Sequence, residues 1–191
     1  MKQLVTFWGL ALLALGSQAA PVAVTLPTSF TLTPYSGAAA VNAGQLDSDR
    51  TLFTVREQAH DGLQSWYLVY DPLNPGRVRA TLDFGAPIVA VYATTAELAA
   101  SQVDWSVDID GDGVFNDYAF RNLMGLESVD ITTWTVGGSL LTIDWRADDP
   151  GDHLRVLVRL PQENNVPEPA SAALVLLGLG LGAAAARRRR R

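Results

Sequence analysis

The last twenty-six residues constrain this chain most. Val166-Pro167-Glu168-Pro169 is followed by Ala170 to Ala186, a run of 17 residues without a charge, and then by Arg187, Arg188, Arg189, Arg190 and Arg191. Two prolines fix φ and disfavour helix in the residues before them, so they mark a stop ahead of the apolar run. Seventeen helical residues reach about 25 Å, the short end of what crosses a bilayer. Arginine keeps its charge and stays with water and anionic headgroups on the cytoplasmic side. The segment is therefore expected to be a transmembrane helix over 170–186, with everything upstream across the membrane. A buried C-terminal helix would not need a charge-free run capped by five cations. A glycolipid-anchor signal ends in its apolar tail rather than in arginines.

The opposite end carries a second topogenic pattern. Lys2 supplies a positive start, Phe7 to Leu15 an apolar stretch, and Ser17-Gln18-Ala19 small residues at the −3 and −1 positions. This is a secretory signal by pattern, with cleavage expected after Ala19. Cleavage after Ala20 is less favoured, because Pro21 would follow the cut directly. The organisation expected is a signal peptide over 1–19, one domain over 20–163 and a sorting segment over 164–191.

At the C-terminus the resemblance to a known family is close. Val-Pro-Glu-Pro, an apolar helix with a stripe of small residues and a terminal Arg cluster resemble the PEP-CTERM sorting signal of Gram-negative bacteria. The resemblance implies that an exosortase, a membrane protease-transpeptidase, recognises the signal at the inner membrane and processes it near Pro167, Glu168 and Pro169. The implied destination is the cell surface or the extracellular matrix. It implies nothing about the work of the domain upstream.

That domain is acidic. Between Ala20 and Glu163 there are eight arginines, no lysine and 19 Asp and Glu, a formal charge of −11. Such a charge disfavours nucleic acid and anionic membrane surfaces as partners and favours divalent cations. The chain has no cysteine, so a disulfide framework is ruled out, and about 145 residues suffice for a single core.

Short alternating runs separated by turn residues indicate an all-β fold, a single β-sandwich of jelly-roll or Ig-like type. Strands are expected over 21–33, 51–56, 66–70, 77–84, 88–92, 104–110, 118–121, 132–136, 140–146 and 154–160. The turn Asp71-Pro72-Leu73-Asn74-Pro75-Gly76 is the strongest in the chain. Asp61-Gly62 lies in a gap that looks long for a tight hairpin. Gly137-Gly138 reads as a two-residue hairpin. One helix is expected over 94–101, with Thr95 as its cap and Leu98 facing inward.

The domain holds one chemical motif, Asp108-Ile109-Asp110-Gly111-Asp112-Gly113-Val114-Phe115-Asn116-Asp117. Calcium takes six to eight oxygens, and carboxylates at alternate positions of a tight loop can converge on one point. Asp108, Asp110 and Asp112 would supply side-chain oxygens, Val114 its carbonyl, and Asn116 or Asp117 a further oxygen. The twelfth position from Asp108 is Ala119, where a helix-loop-helix calcium site places a bidentate acid, and the flanks read as strands. The segment is similar instead to Asp-rich hairpins in β-sandwich domains of secreted bacterial proteins, including modules attached to subtilisin-like proteases. That resemblance implies bound Ca2+. A plain polar turn is the alternative, although three Asp within five residues repel one another.

Catalytic parts are few. His60-Asp61 is an acid–base pair in sequence, but neighbours on a loop are expected to point apart. His153, beside the acidic turn 148–152, is expected to be solvated, and that turn is a weaker candidate for a cation. No nucleophile elbow, zinc-protease motif, P-loop or dinucleotide fingerprint is present. The reading is a non-enzymatic exported protein of the envelope or exopolysaccharide matrix. The alternative is a carbohydrate-active protein, with Trp66, Trp105, Trp134 and Trp145 as a sugar platform or with two carboxylates as a hydrolase. Extracellular polysaccharide would be the partner.

Overall fold

A computed structural model describes residues 19–35, 46–106, 124–148 and 150–161. The chain divides into two compact units, Met1–Pro161 and Gln162–Arg191. All the described residues belong to the first. The second, with the expected transmembrane helix over 170–186, lies outside them. Among the described residues, no helix is long and apolar enough to cross a membrane.

The first unit is mostly β, in two sheets. Its strands are β1 Val22–Thr25, β2 Thr31–Pro34, β3 Thr51–His60, β4 Leu63–Tyr70, β5 Gly76–Asp83, β6 Ile88–Tyr92, β7 Ile131–Trp134, β8 Leu140–Ala147 and β9 Asp152–Arg159. Two short helices, α1 Thr95–Ala100 and α2 Gln102–Trp105, lie between β6 and β7. One sheet has the order β1-β5-β8-β7 and the other β2-β3-β4-β9-β6. Among the described strands, β2 and β3 pair in parallel and the other pairs are antiparallel.

Side-chain alternation explains the four-stranded sheet. In β5 the buried set is Val78, Ala80 and Leu82, and in β8 it is Leu141, Ile143, Trp145 and Ala147. Arg77, Arg79 and Asp144 stand on the opposite face, where both arginines pair with Asp144. The five-stranded sheet behaves differently. Nearly every residue of β4 and β9 is buried, because this sheet is covered on both faces. Trp66, Leu68, Tyr70, Leu154, Val156 and Val158 join the β5 and β8 residues in one cluster. Tyr67 and Val69, on the other side of β4, form a second cluster with Leu46, Val55 and Leu98 of α1.

Several local expectations are corrected by tertiary pairing. The gap around Asp61-Gly62 closes, because β3 runs on to His60 and β4 starts at Leu63. Both turn residues have positive φ, 54° and 74°, the conformation of the favoured two-residue hairpin. Conversely, β7 ends at Trp134, so Gly137-Gly138 lies in a longer connection in which Gly138 N–H donates to Thr135 O at 2.9 Å. The strand expected over 104–110 begins instead as α2, which ends at Trp105. The cap of α1 is Thr94, not Thr95: Thr94 Oγ1 accepts Glu97 N–H, and Glu97 Oε2 accepts Thr94 N–H. Thr95 Oγ1 accepts the N–H of Gly125 instead.

The turn 71–76 carries the chain from β4 in one sheet to β5 in the other. Gly76 is required there, since a Cβ would meet the Tyr70 hydroxyl at 2.2 Å.

Candidate functional site

Of the residues singled out from sequence, Ala19 is described and exposed, just ahead of β1. Asp108, Asp110, Asp112, Val114, Asn116 and Asp117 lie outside the described residues, as do Pro167, Glu168, Pro169 and Arg187 to Arg191. The described residues flanking the Asp-rich segment are well held. Ser106 O accepts from Gln58 Nε2 at 2.5 Å, and Met124 O accepts the N–H of His153 at 2.9 Å.

From Met124 the chain is fastened to the start of α1. Leu126 N–H donates to Ala93 O at 2.7 Å, and a Cβ on Gly125 would meet Thr95 N at 2.2 Å. A turn follows. Glu127 N–H donates to Asp130 Oδ2 at 2.8 Å, and Asp130 Oδ1 accepts the N–H of Arg146, the penultimate residue of β8. Across from it, the acidic turn 148–151 ends at Gly151, which has φ +81° and sits so close to Tyr70 and Asp71 that a Cβ would be 2.8 Å from their atoms. Asp152 comes next, opens β9 opposite Tyr70, and is buried at 1% exposure.

These contacts gather Glu127, Asp130 and Asp152, whose carboxylate oxygens lie within 4.8 Å of one another. The Glu127 carboxyl is in hydrogen-bond reach of both Asp130 and Asp152. Burial, then the charges of Asp130 and Glu127 and that of Asp71, push the Asp152 carboxyl up to about 8. Burial and Asp130 also raise Glu127. The acidic turn 148–152, which includes Asp152, is legible in the sequence, whereas Glu127 and Asp130 read as ordinary loop residues because nothing in their spacing announces a partner on β9.

The second polar group missed is fully buried. Arg155 Nε and Nη2 each donate to the Glu57 carboxylate at 2.7 Å. Arg155 Nη1 donates to Ser101 Oγ at 2.5 Å and to Leu98 O at 3.1 Å. Ser65 Oγ donates to Glu57 as well, and the guanidinium lies 5.2 Å from the centre of the Tyr67 ring. This network joins β3, β4 and β9 to the C-terminal end of α1. Arg155 thereby supplies a donor to the last-turn carbonyl Leu98 O, which Ser101 Oγ also reaches at 3.3 Å. The only signal in the sequence was an arginine inside the apolar run Leu154-Arg155-Val156-Leu157-Val158.

The other candidates change character. His153 is not solvated: it is fully buried, its ring 5.6 Å from that of Tyr67, and burial holds it down at about 4. His60 and Asp61 do touch, at 3.1 Å. His60 also stacks on Trp105 at 4.0 Å and contacts Asp104 O at 2.9 Å, which ties β3 to α2. Trp66, Trp105 and Trp145 are buried, and Trp134 is partly buried against the main core. The four tryptophans therefore form no exposed row.

Fold and site together define a two-sheet β protein with a helical cover on one sheet and a carboxylate cluster at the start of β9. No curated protein and no solved structure matches the chain. The model of the PEP-CTERM protein-sorting motif matches residues 165–191. The chain thus carries a PEP-CTERM sorting motif, the signal of exosortase substrates.

Proposed function

We propose that this is an exported, non-enzymatic protein of the cell surface or extracellular matrix of a Gram-negative bacterium, delivered through exosortase processing at Pro167–Pro169. The observation that carries the proposal is the sorting motif over 165–191. In this reading the signal peptide is removed after Ala19. Residues 170–186 hold the chain transiently in the inner membrane, with Arg187 to Arg191 on the cytoplasmic side. The domain over 20–163 is a β-sandwich, and the loop Asp108 to Asp117 binds Ca2+ and stiffens it for an exterior where calcium is plentiful. Two sheets that share one core support the sandwich assignment.

The C-terminal mass of the protein recovered from its native host tests the sorting reading. A mature chain ending near Pro167–Pro169 is expected. Recovery of the intact arginine tail on all molecules would overturn it. The loop is tested separately by melting the protein in EDTA and in calcium. A site filled to about a hundred times its dissociation constant adds about 2.7 kcal/mol, a rise of roughly 5–10 °C for a domain of this size. Asp108→Ala or Asp112→Ala should abolish the part of that rise that belongs to the loop.

A further inference from the structure

We propose that Glu127, Asp130 and Asp152 form a calcium site of their own, at the junction of the turn before β7 with the start of β9, separate from the Asp-rich loop. Three observations carry it. One carboxylate oxygen of each lies within 4.8 Å of the other two, close enough for a single calcium to bridge all three at about 2.4 Å each. The donor set is all carboxylate, with no imidazole or thiolate, which selects a hard cation.

The second observation is independent of the clustering. Asp152 is only 1% exposed, and its Oδ2 meets no N–H or O–H donor; the group within hydrogen-bond reach of Asp152 is the Glu127 carboxyl, itself an acceptor when ionised. A buried carboxylate oxygen left without a donor is costly, and a cation is what normally occupies such a position. The third concerns charge. None of the ion pairs among the described residues involves Glu127, Asp130 or Asp152. Backbone N–H groups hold Asp130 in place without neutralising it, and Gly151, just before Asp152, packs against the backbone of Tyr70 and Asp71.

The site has a rigid wall and an open side. Asp130 and Asp152 are fixed by β8 and β9, and Glu127 is partly exposed. Water can therefore complete the six to eight ligands that calcium takes. A filled site would tie the chain between α1 and β7 to β9, on the opposite side of Met124 from the Asp-rich loop in sequence.

The test uses the full chain in detergent carrying Asp108→Ala and Asp112→Ala, which removes the loop as a competitor. Calcium chloride alone is titrated by calorimetry after the chain has been stripped with EDTA. One calcium per chain is expected. Asp152→Asn should weaken binding by roughly tenfold or more, because affinity follows the charge count of the ligands. Glu127→Gln, at a partly exposed position, serves if the Asp152 variant does not fold, and in the unaltered chain it should remove one bound calcium. Absence of binding in the loop-disabled chain overturns the proposal, as do equal affinities across these variants. In that case the three carboxyls are held together by a shared proton.

Discussion

At the scale of single residues, the buried charges are the most informative. Glu57 and Arg155 are both fully buried and joined by two hydrogen bonds. Removing one member leaves the other uncompensated, which costs about 3–5 kcal/mol. Glu57→Gln should therefore lower the urea midpoint strongly, and with it the protection of α1 amides against hydrogen exchange. His153 gives a pH dependence. Its folded value of about 4 lies below the ordinary value of 6.5, so between those two pH values the folded state binds fewer protons than the unfolded one. Its contribution is intact above the window and is lost as pH falls through it, by up to about 3 kcal/mol. Asp152, raised to about 8, works in the opposite sense as pH rises. A comparison of urea midpoints between the parent and His153→Leu across the window isolates the histidine, and the variant should show the shallower acid loss.

At the scale of elements, α1 is too short to stand alone, and besides the Arg155 network it is held by its cap and by the burial of Leu98. Thr94 and Glu97 form a reciprocal capping box, and Leu98 is buried in the second cluster. Thr94→Ala should cost about 1 kcal/mol and Leu98→Ala about 2–5 kcal/mol, both read from thermal melts. The sequence showed that a helix exists here and that Leu98 faces inward. It placed the cap one residue late because Thr94 and Thr95 are chemically alike, and only the position of Glu97, three residues on, distinguishes them. The hairpins show the same limit. Asp61-Gly62 is a strong turn signal, but the strands flanking it contain Glu57, Gln58, Gln64 and Ser65, polar residues that hide a strand until their partners are known. Each has one: Gln64 Nε2 donates to Glu57 O and Ser65 O, and Gln58 reaches Ser106.

At the scale of the whole molecule, the topology proposed for the sorting motif rests on the charge of Arg187 to Arg191. Replacing Arg187 to Arg191 by serine should remove the cytoplasmic stop and let the tail cross the membrane. Protease added to spheroplasts would then trim a tail that is protected in the parent. The sorting motif and the all-β class were legible from local pattern alone: Pro-Glu-Pro before an uncharged segment and an arginine cluster, and period-two alternation. These features act through short-range physics, helix length against bilayer thickness and side-chain parity along a strand, so neighbours in sequence suffice to specify them. What only the tertiary structure decided is which polar residues meet. The five-stranded sheet is covered on both faces, so alternation fails in β4 and β9 and a histidine and an arginine are drawn inside. Glu127, Asp130 and Asp152 converge because Met124 is bonded to His153 and Gly151 permits close approach to Asp71. Those are contacts between segments far apart in the chain, and no spacing along the sequence encodes them.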